Sequence, residues 1–350
     1  MRPVLAIAAG LLVTALVASG VTLAILRLQS RTNPQQVNLQ PGVTLTEDSA
    51  IIAAAGKARP AVVSIVTHQQ PSVVRGSGYL ATSDGYIVTS ISVVAGANGL
   101  TVLIPNDSKP HDGRLVDYDC QTGVAVIKVD MVSGLPTLAF ADPNALVQGQ
   151  VIVAVGGPVD GSAISPGYVS AMHQLASARD PVNLGRTLLF SDTIQTNVAI
   201  DDGTTGGPLL NVGSQVVGIA MVSPSELAGF GLNVADIQDD VQQILSGGQV
   251  VVASLGATTS DVTPQSAALS GVPEGAQLLA IDKGGPAAIA GLQAGDVITQ
   301  LDDVRIDAAH PISLLLRSRF HANQRVTVTY TRGGSSTQAE LTLAGRHPTC

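Results

Sequence analysis

The sequence is short of charge, short of cysteine and without a basic cluster, and each shortage closes a class of function. Only 13% of its 350 residues are charged, against 45% hydrophobic. That much apolar material builds sizeable cores and argues against extensive disorder. The formal net charge is −8 and Lys and Arg nowhere cluster, so there is no electrostatic footprint for nucleic acid, and nucleic-acid binding is set aside. Two cysteines, Cys120 and Cys350, do not make a disulfide framework. The plainest reading is two unpaired residues, with a bridge between them left open. No metal-ligand spacing exists among Cys and the six His, so no metal or other cofactor is expected.

What is present points to two domains plus extra segments, because single cores stop growing well before this length. The stretch Pro3 to Leu26 is free of charge and almost wholly apolar, and roughly 20 such residues span a bilayer. It is long for a secretory signal, and no Ala-x-Ala follows it. Residues 1–27 are therefore read as a transmembrane anchor, with a cleaved signal as the alternative. Arg2 on one side and Arg27 and Arg31 on the other leave its orientation open. Residues 28–48 read as a polar linker and Ser49 to Lys57 as a short helix.

From Pro60 the texture changes to short β-prone runs punctuated by turns. Ala61–Thr67, Tyr86–Thr89, Leu100–Ile104, Val124–Val129, Val151–Val155 and Gln215–Ala220 are strand candidates. Without long helices between them they indicate an all-β barrel or sandwich. Between Asp236 and Leu245, residues Ile237, Val241, Ile244 and Leu245 share one helical face. Asp236 is the expected cap and Ser246-Gly247-Gly248 the expected stop. Beyond Gln249, Pro286–Ala290 and Pro311–Arg319 read as two helices. Arg325–Arg332 and Ala339–Leu343 alternate on either side of Gly333-Gly334 and read as a hairpin. This second unit is a small α+β domain.

Six short motifs then occur together in order: Gly76-Ser77-Gly78, Asp84 to Thr89, Val93-Val94, Val124 to Lys128, Ile194-Gln195-Thr196 and Gly206 to Leu209. In order and spacing they resemble the HtrA-type (Deg-type) serine proteases, and Gly229-Phe230-Gly231 resembles that family's strand beside the specificity pocket. The resemblance implies a mostly β fold, a chymotrypsin-like double β-barrel over residues 49–246. Ala290 to Ile298 resembles the signature of the PDZ domains that follow such proteases, implying a PDZ domain over residues 250–345. Its physics is local: Gly291 and Gly295 supply tight turns and Asp296 bonds nearby backbone N–H groups.

The family's chemistry needs a Ser nucleophile, a His base and an Asp that orients the His. At the matching positions this chain has Thr205, Ser92 and Gly123. An internal Thr has no terminal amine to act as its base. A serine hydroxyl is too weak an acid–base group for Ser92 to serve instead, and Gly123 has no side chain. None of the six histidines matches the family's catalytic position, and Lys128 stands where the family also carries a non-catalytic Lys. Losing one triad member costs on the order of 10⁴ to 10⁶ in turnover. No catalytic residue is therefore expected. The oxyanion hole, whose donors are backbone N–H groups, would fall at Gly203 and Thr205. Asp201 and Asp202 just before it are expected either to oppose a developing oxyanion or to face solvent.

In such PDZ domains a peptide C-terminus adds as a strand and a backbone loop captures its carboxylate. By resemblance the loop is Ser254-Leu255-Gly256, the augmented strand is Ala257-Thr258-Thr259, and the opposing helix, Ile312 to Arg319, carries Leu315, with Leu255 and Leu314 to Leu316 favouring an apolar terminal residue. The function implied is a membrane-anchored pseudoprotease that binds peptide C-termini or unfolded chains in extracytoplasmic quality control. An active endopeptidase and an inactive subunit mixing with active relatives are the alternatives. The family also implies a homotrimer, and a single-pass placement with the domains outside the cytoplasm.

Overall fold

The structure is a computed structural model, and it describes residues 47–69, 72–179, 187–222 and 229–348. The expected anchor at 1–27 and nearly all of the expected linker lie outside these residues. Among the described residues no helix is long and apolar enough to cross a membrane.

Helix α1 (Glu47–Ala58) opens the described chain, longer by a few residues than the helix read from the sequence. The first closed barrel follows, from β1 (Val62–Gln69), β2 (Ser72–Leu80), β3 (Tyr86–Ser90), the single turn α2 (Ile91–Val94), β4 (Leu100–Leu103), β5 (Pro110–Tyr118) and β6 (Val124–Val129). Its strands close in the order β1-β2-β3-β6-β5-β4. The second barrel is built from β7 (Val151–Val155), β8 (Ile164–Arg179), β9 (Thr187–Thr196), β10 (Pro208–Leu210), β11 (Val216–Met221) and β12 (Gly229–Asn233), closing as β10-β11-β12-β9-β8-β7. All ladders in both barrels are antiparallel, and closure leaves no free sheet edge in either.

Strand β6 is a continuous apolar run rather than an alternating one, because both of its faces are covered. Val124 to Ile127 are all fully buried, one face in the barrel and the other against α3 (Val234–Gly247). Helix α3 buries Ile237, Val241 and Ile244, as its 3.6-residue period requires. Its cap is not Asp236. Asn233 accepts from the Ala235 N–H, and Asp236 sits within the first turn. Gly248, at φ +78°, returns its N–H to the Ile244 carbonyl and ends the helix.

The C-terminal domain comprises β13 (Val252–Ser254), β14 (Ala257–Val262), α4 (Pro264–Ser270), β15 (Gly275–Ile281), α5 (Pro286–Ile289), β16 (Val297–Leu301), β17 (Val304–Arg305), α6 (Ile312–Ser318), β18 (Arg325–Arg332), β19 (Ser335–Thr342) and β20 (Ala344–Arg346). Its main sheet runs β14-β15-β16-β18-β19, and β13 pairs with β20 apart from it. The β18–β19 hairpin pairs Arg332 with Ser335 across Gly333-Gly334 and buries Val326, Val328 and Tyr330. The domain holds three helices rather than two. Helix α4 buries no residue, so it leaves no apolar stripe to read.

Candidate functional site

The framework glycines of the cleft are required by the backbone. Gly206 has φ +81°, and a Cβ there would lie 2.3 Å from Thr89 Oγ1 and 2.5 Å from the Ser77 carbonyl. Ser77 knits the base of the cleft: its hydroxyl donates to the Gly203 carbonyl at 2.5 Å and accepts from the Gly157 N–H at 2.7 Å. Thr89 Oγ1 donates to the Ser77 carbonyl at 2.7 Å. This scaffold brings together the three positions that sequence comparison assigns to a triad. Ser92, on α2, and Thr205 both line a cavity of about 150 Å³ with Val93, Asp202 and Met221. The Gly123 carbonyl accepts from the Ile91 N–H at 2.7 Å, which places position 123 beside the start of α2.

The groups at these positions are held in local hydrogen bonds and packing. Ser92 Oγ pairs with Ser90 Oγ at 2.6 Å, hydroxyl to hydroxyl. Thr205 Oγ1 donates to the Asp201 carbonyl at 2.8 Å. Gly123 has φ +78°, and a Cβ there would fall 2.7 Å from the Phe190 ring and 3.2 Å from Leu232 Cδ2. The space into which an orienting carboxylate would reach is filled by the fully buried Phe190 of β9. No sequence signal marks this residue, because its effect depends on a contact between distant segments.

The backbone N–H of Thr205, one of the two expected oxyanion donors, is spent on the Asp201 carbonyl at 2.9 Å. The Asp201 carboxylate is turned back into the same turn, accepting from Thr204 N–H at 2.8 Å and Thr204 Oγ1 at 2.9 Å. Asp201 and Asp202 are both exposed, in keeping with the solvent-facing alternative, and the Asp201 carboxylate also caps its own turn. Asp202 is the carboxylate that lines the cavity. Among the described residues lining that cavity there is no histidine. His111, His173, His310 and His347 pair instead with Asp107, Asp192, Asp307 and Asp117. Lys128 is committed to the Asp84 and Val129 carbonyls and lies over the Tyr86 ring.

In the C-terminal domain, Gly256 has φ +67°, and a Cβ there would meet Pro286 Cδ at 2.8 Å. Ser254 Oγ accepts the Gly256 N–H at 3.1 Å, and the Leu255 carbonyl accepts from Ala287 at 2.8 Å. The loop Ser254-Leu255-Gly256 is thus packed onto the start of α5. Ala257 and Thr258 then open β14, which stands last in its sheet and has one edge without a ladder partner among the described residues. The three leucines of α6 point to different places. Leu315 is buried in the domain core, Leu316 packs half-buried against it, and Leu314 lines the cavity between this domain and α3. Leu315 therefore supports the domain from within rather than offering a free surface. Asp296 accepts from Gln293 N–H at 2.8 Å and from two Arg332 nitrogens at 2.7 Å each, anchoring the turn before β16.

Cys120, in the turn joining β5 to β6, is disulfide-bonded, which corrects the expectation of two unpaired cysteines. The one other cysteine of the sequence is Cys350, outside the described residues.

Comparison with known proteins follows the same division. The family model for a trypsin-like peptidase domain matches residues 76–219, and the PDZ domain model matches residues 249–343. A probable periplasmic serine endoprotease DegP-like of Halomonas elongata is 34% identical over 276 residues, 77% of this chain and 56% of that protein. The serine protease Do-like HtrA of Lactococcus lactis subsp. lactis is 31% identical over 291 residues, 77% of this chain and 70% of that protein. The chain thus spans little more than half the length of the DegP-like relatives. Among solved structures, the HtrA-type protease AlgW with a decapeptide superposes with a TM-score of 0.69 at 25% identity, covering 85% of this chain and 99% of that one. With both domains matched in order, and an HtrA relative matched over most of its length, this chain belongs to the HtrA family of trypsin-like serine proteases with a PDZ domain.

Proposed function

We propose that the chain is an HtrA-type pseudoprotease, anchored in a membrane and holding peptide C-termini or unfolded chain ends through its PDZ domain. The observation that carries this reading is the Phe190 ring in the space beside Gly123. A triad missing three functional groups could be an accident of residue identity, but here the neighbouring packing has also closed over the vacated position. The hydroxyl pairing of Ser92, and the capture of both Thr205 Oγ1 and its N–H by Asp201, support the same reading. With nucleophile, base and orienting acid all replaced, the expected loss of turnover is on the order of 10⁶, as when a whole triad is removed.

Support for peptide holding comes from the open edge of β14 and the Ser254-Leu255-Gly256 loop at its start, the arrangement used for strand addition by a free C-terminus. The AlgW structure with its decapeptide is consistent with that use. A role as scaffold or regulator outside the cytoplasm is supported by the periplasmic description of the relatives and by the apolar stretch at Pro3 to Leu26. An active endopeptidase and an inactive subunit mixing with active relatives are the competing readings.

Two measurements on the full chain in detergent separate them. Fluorophosphonate labelling at Thr205 or Ser92, or casein cleavage abolished by Thr205→Ala, would overturn the pseudoprotease reading; neither is expected. Binding of free-carboxylate peptides from a C-terminal library is expected, and amidation of the same peptides should abolish it.

A further inference from the structure

Both ends of the PDZ domain are fastened to one strand of the first barrel. Strand β13, where the domain begins, pairs antiparallel with β20, where it ends, so Val252 lies opposite Arg346 and Ser254 opposite Ala344. Just outside this pair, Asp117 of β5 takes both flanks. Its Oδ2 accepts the Val250 N–H at 2.7 Å, and its Oδ1 meets His347 Nε2 at 2.8 Å. Val250 is itself fully buried in the same core as the strands of the first barrel.

The turn after β5 receives the middle of the domain. Its first residue, Asp119, is fully buried, and Arg317 on α6 places Nη2 2.5 Å from Asp119 Oδ2 and Nη1 3.2 Å from Asp240 Oδ2 on α3. Gln121 accepts from the same guanidinium through Oε1. Burial and Asp192 raise the Asp236 carboxyl on α3 to about 7, burial and Asp119 raise Asp240 to about 6, and Arg317 opposes both. These ionic contacts change with pH, whereas a covalent one does not. The covalent one starts in the same turn. Cys120 is only 4% exposed and is disulfide-bonded, and the sequence offers Cys350 as its one partner within the chain. The spacing agrees: Cys350 lies three residues after His347, as Cys120 lies three after Asp117. Three residues reach at most about 10 Å, so a tail held at Asp117 meets Cys120 without a long excursion. A sulfur this buried is poorly placed to bridge to a second copy.

We propose that the Cys120–Cys350 bond is a redox-operated strap, which decides whether the PDZ domain sits fixed on the first barrel or swings from it. The chain itself supplies one link, the exposed stretch 246–249 after α3. A single short link permits rotation about it. A second link, from the other end of the same domain to the same face, removes most of that freedom and raises the local concentration of the docking surfaces. Opening the strap takes a dithiol reductant. Its thiolate attacks one sulfur and releases the other, and its second thiol then resolves the mixed disulfide. Two electrons pass, the reductant becomes a disulfide, and Cys120 and Cys350 are left as thiols with protons from solvent. Closing is the reverse, with a disulfide oxidant taking the two electrons. Such bonds persist in oxidising compartments and are rare in the cytosol, in line with domains placed outside the cytoplasm. The strap rests neither on an inert cleft nor on the identity of a bound peptide.

The test uses the full chain in detergent at one fixed pH. Proteolysis without reduction should release a linked pair of peptides carrying Cys120 and Cys350. Alkylation of both thiols before any reductant is added, or a bridge between two copies, would sink the idea. Hydrogen exchange is then compared between the oxidised chain, the chain treated with a dithiol, and Cys350→Ser, a change at the last residue that leaves the buried Cys120 in place. Protection of amides in 312–318 and 344–346 should fall by about tenfold on reduction. That is less than the roughly hundredfold effect of a first link, because the chain already supplies one. Cys350→Ser should show the same fall without reductant and no further change with it, and amides 124–127 of β6 should not follow. Equal protection in the oxidised and reduced chain, or a fall confined to the turn at 119–122, would overturn the proposal.

Discussion

The β5–β6 turn has two ends with opposite chemistry. At Gly123 it meets the cleft, where side chains are a hydroxyl pair, a threonine tied to a backbone carbonyl and a phenylalanine ring. At Asp119, four residues earlier, it meets the PDZ domain, where carboxylates crowd around one guanidinium. Groups able to titrate near neutrality are therefore found at the domain junction, not where a hydrolase would need them. The difference teaches that one short loop can present an uncharged end to a cleft and an ionic end to a neighbouring domain. The backbone is common to both: the Gly123 N–H donates to the Asp119 carbonyl at 2.8 Å, tying the two ends into one turn.

The sharpest way to break this comparison is to return a carboxylate to the cleft end. Gly123→Asp combines a left-handed φ with a Cβ pressed on the Phe190 ring, and a loss of about 3 kcal/mol or more is expected in urea denaturation. Adding Ser92→His and Thr205→Ser should not create casein hydrolysis, because the carboxylate has no room to orient the imidazole. Measurable turnover in that triple variant would show that Phe190 yields. At the junction end, Arg317→Ala leaves Asp119 buried and uncompensated. It should cost about 3 kcal/mol of docking, visible as a separate, earlier PDZ transition in calorimetry. A single unchanged transition would mean that apolar contacts, not the ion cluster, hold the domains. The smallest effect should come from an exposed pair away from both ends. Glu340→Ala removes the partner of Arg325 on the β18–β19 hairpin and should shift stability by no more than about 0.5 kcal/mol.

Much of this architecture is legible in the residues themselves. The apolar run of β6, the stripe of α3 and the alternation of β18 announce their elements because each buries a face with a regular period. Strand β8 does not announce itself, although it is the longest at 16 residues. Register shifts between Val169 and Ala171, Ala171 and Gln174, and Gln174 and Ala176 interrupt its pairing with β9 and scramble the two-residue period. Strand β5 likewise buries no residue fully and reads as polar.

Residue identity by itself decides that position 92 carries no imidazole, position 123 no carboxylate and position 205 no serine hydroxyl, because a functional group is a covalent fact. It also decides that Gly206 and Gly256 are free to take left-handed backbone. What fills the space around Gly123, and which cation Asp119 meets, are decided only by tertiary structure. Phe190 and Arg317 arrive from segments far along the chain, and neither contact has a local period or spacing to reveal it. The protonation of Asp236 and Asp240 belongs to the same class. Desolvation and neighbouring charge set it, and both arise from the packing of α3 with β9, the β5–β6 turn and α6.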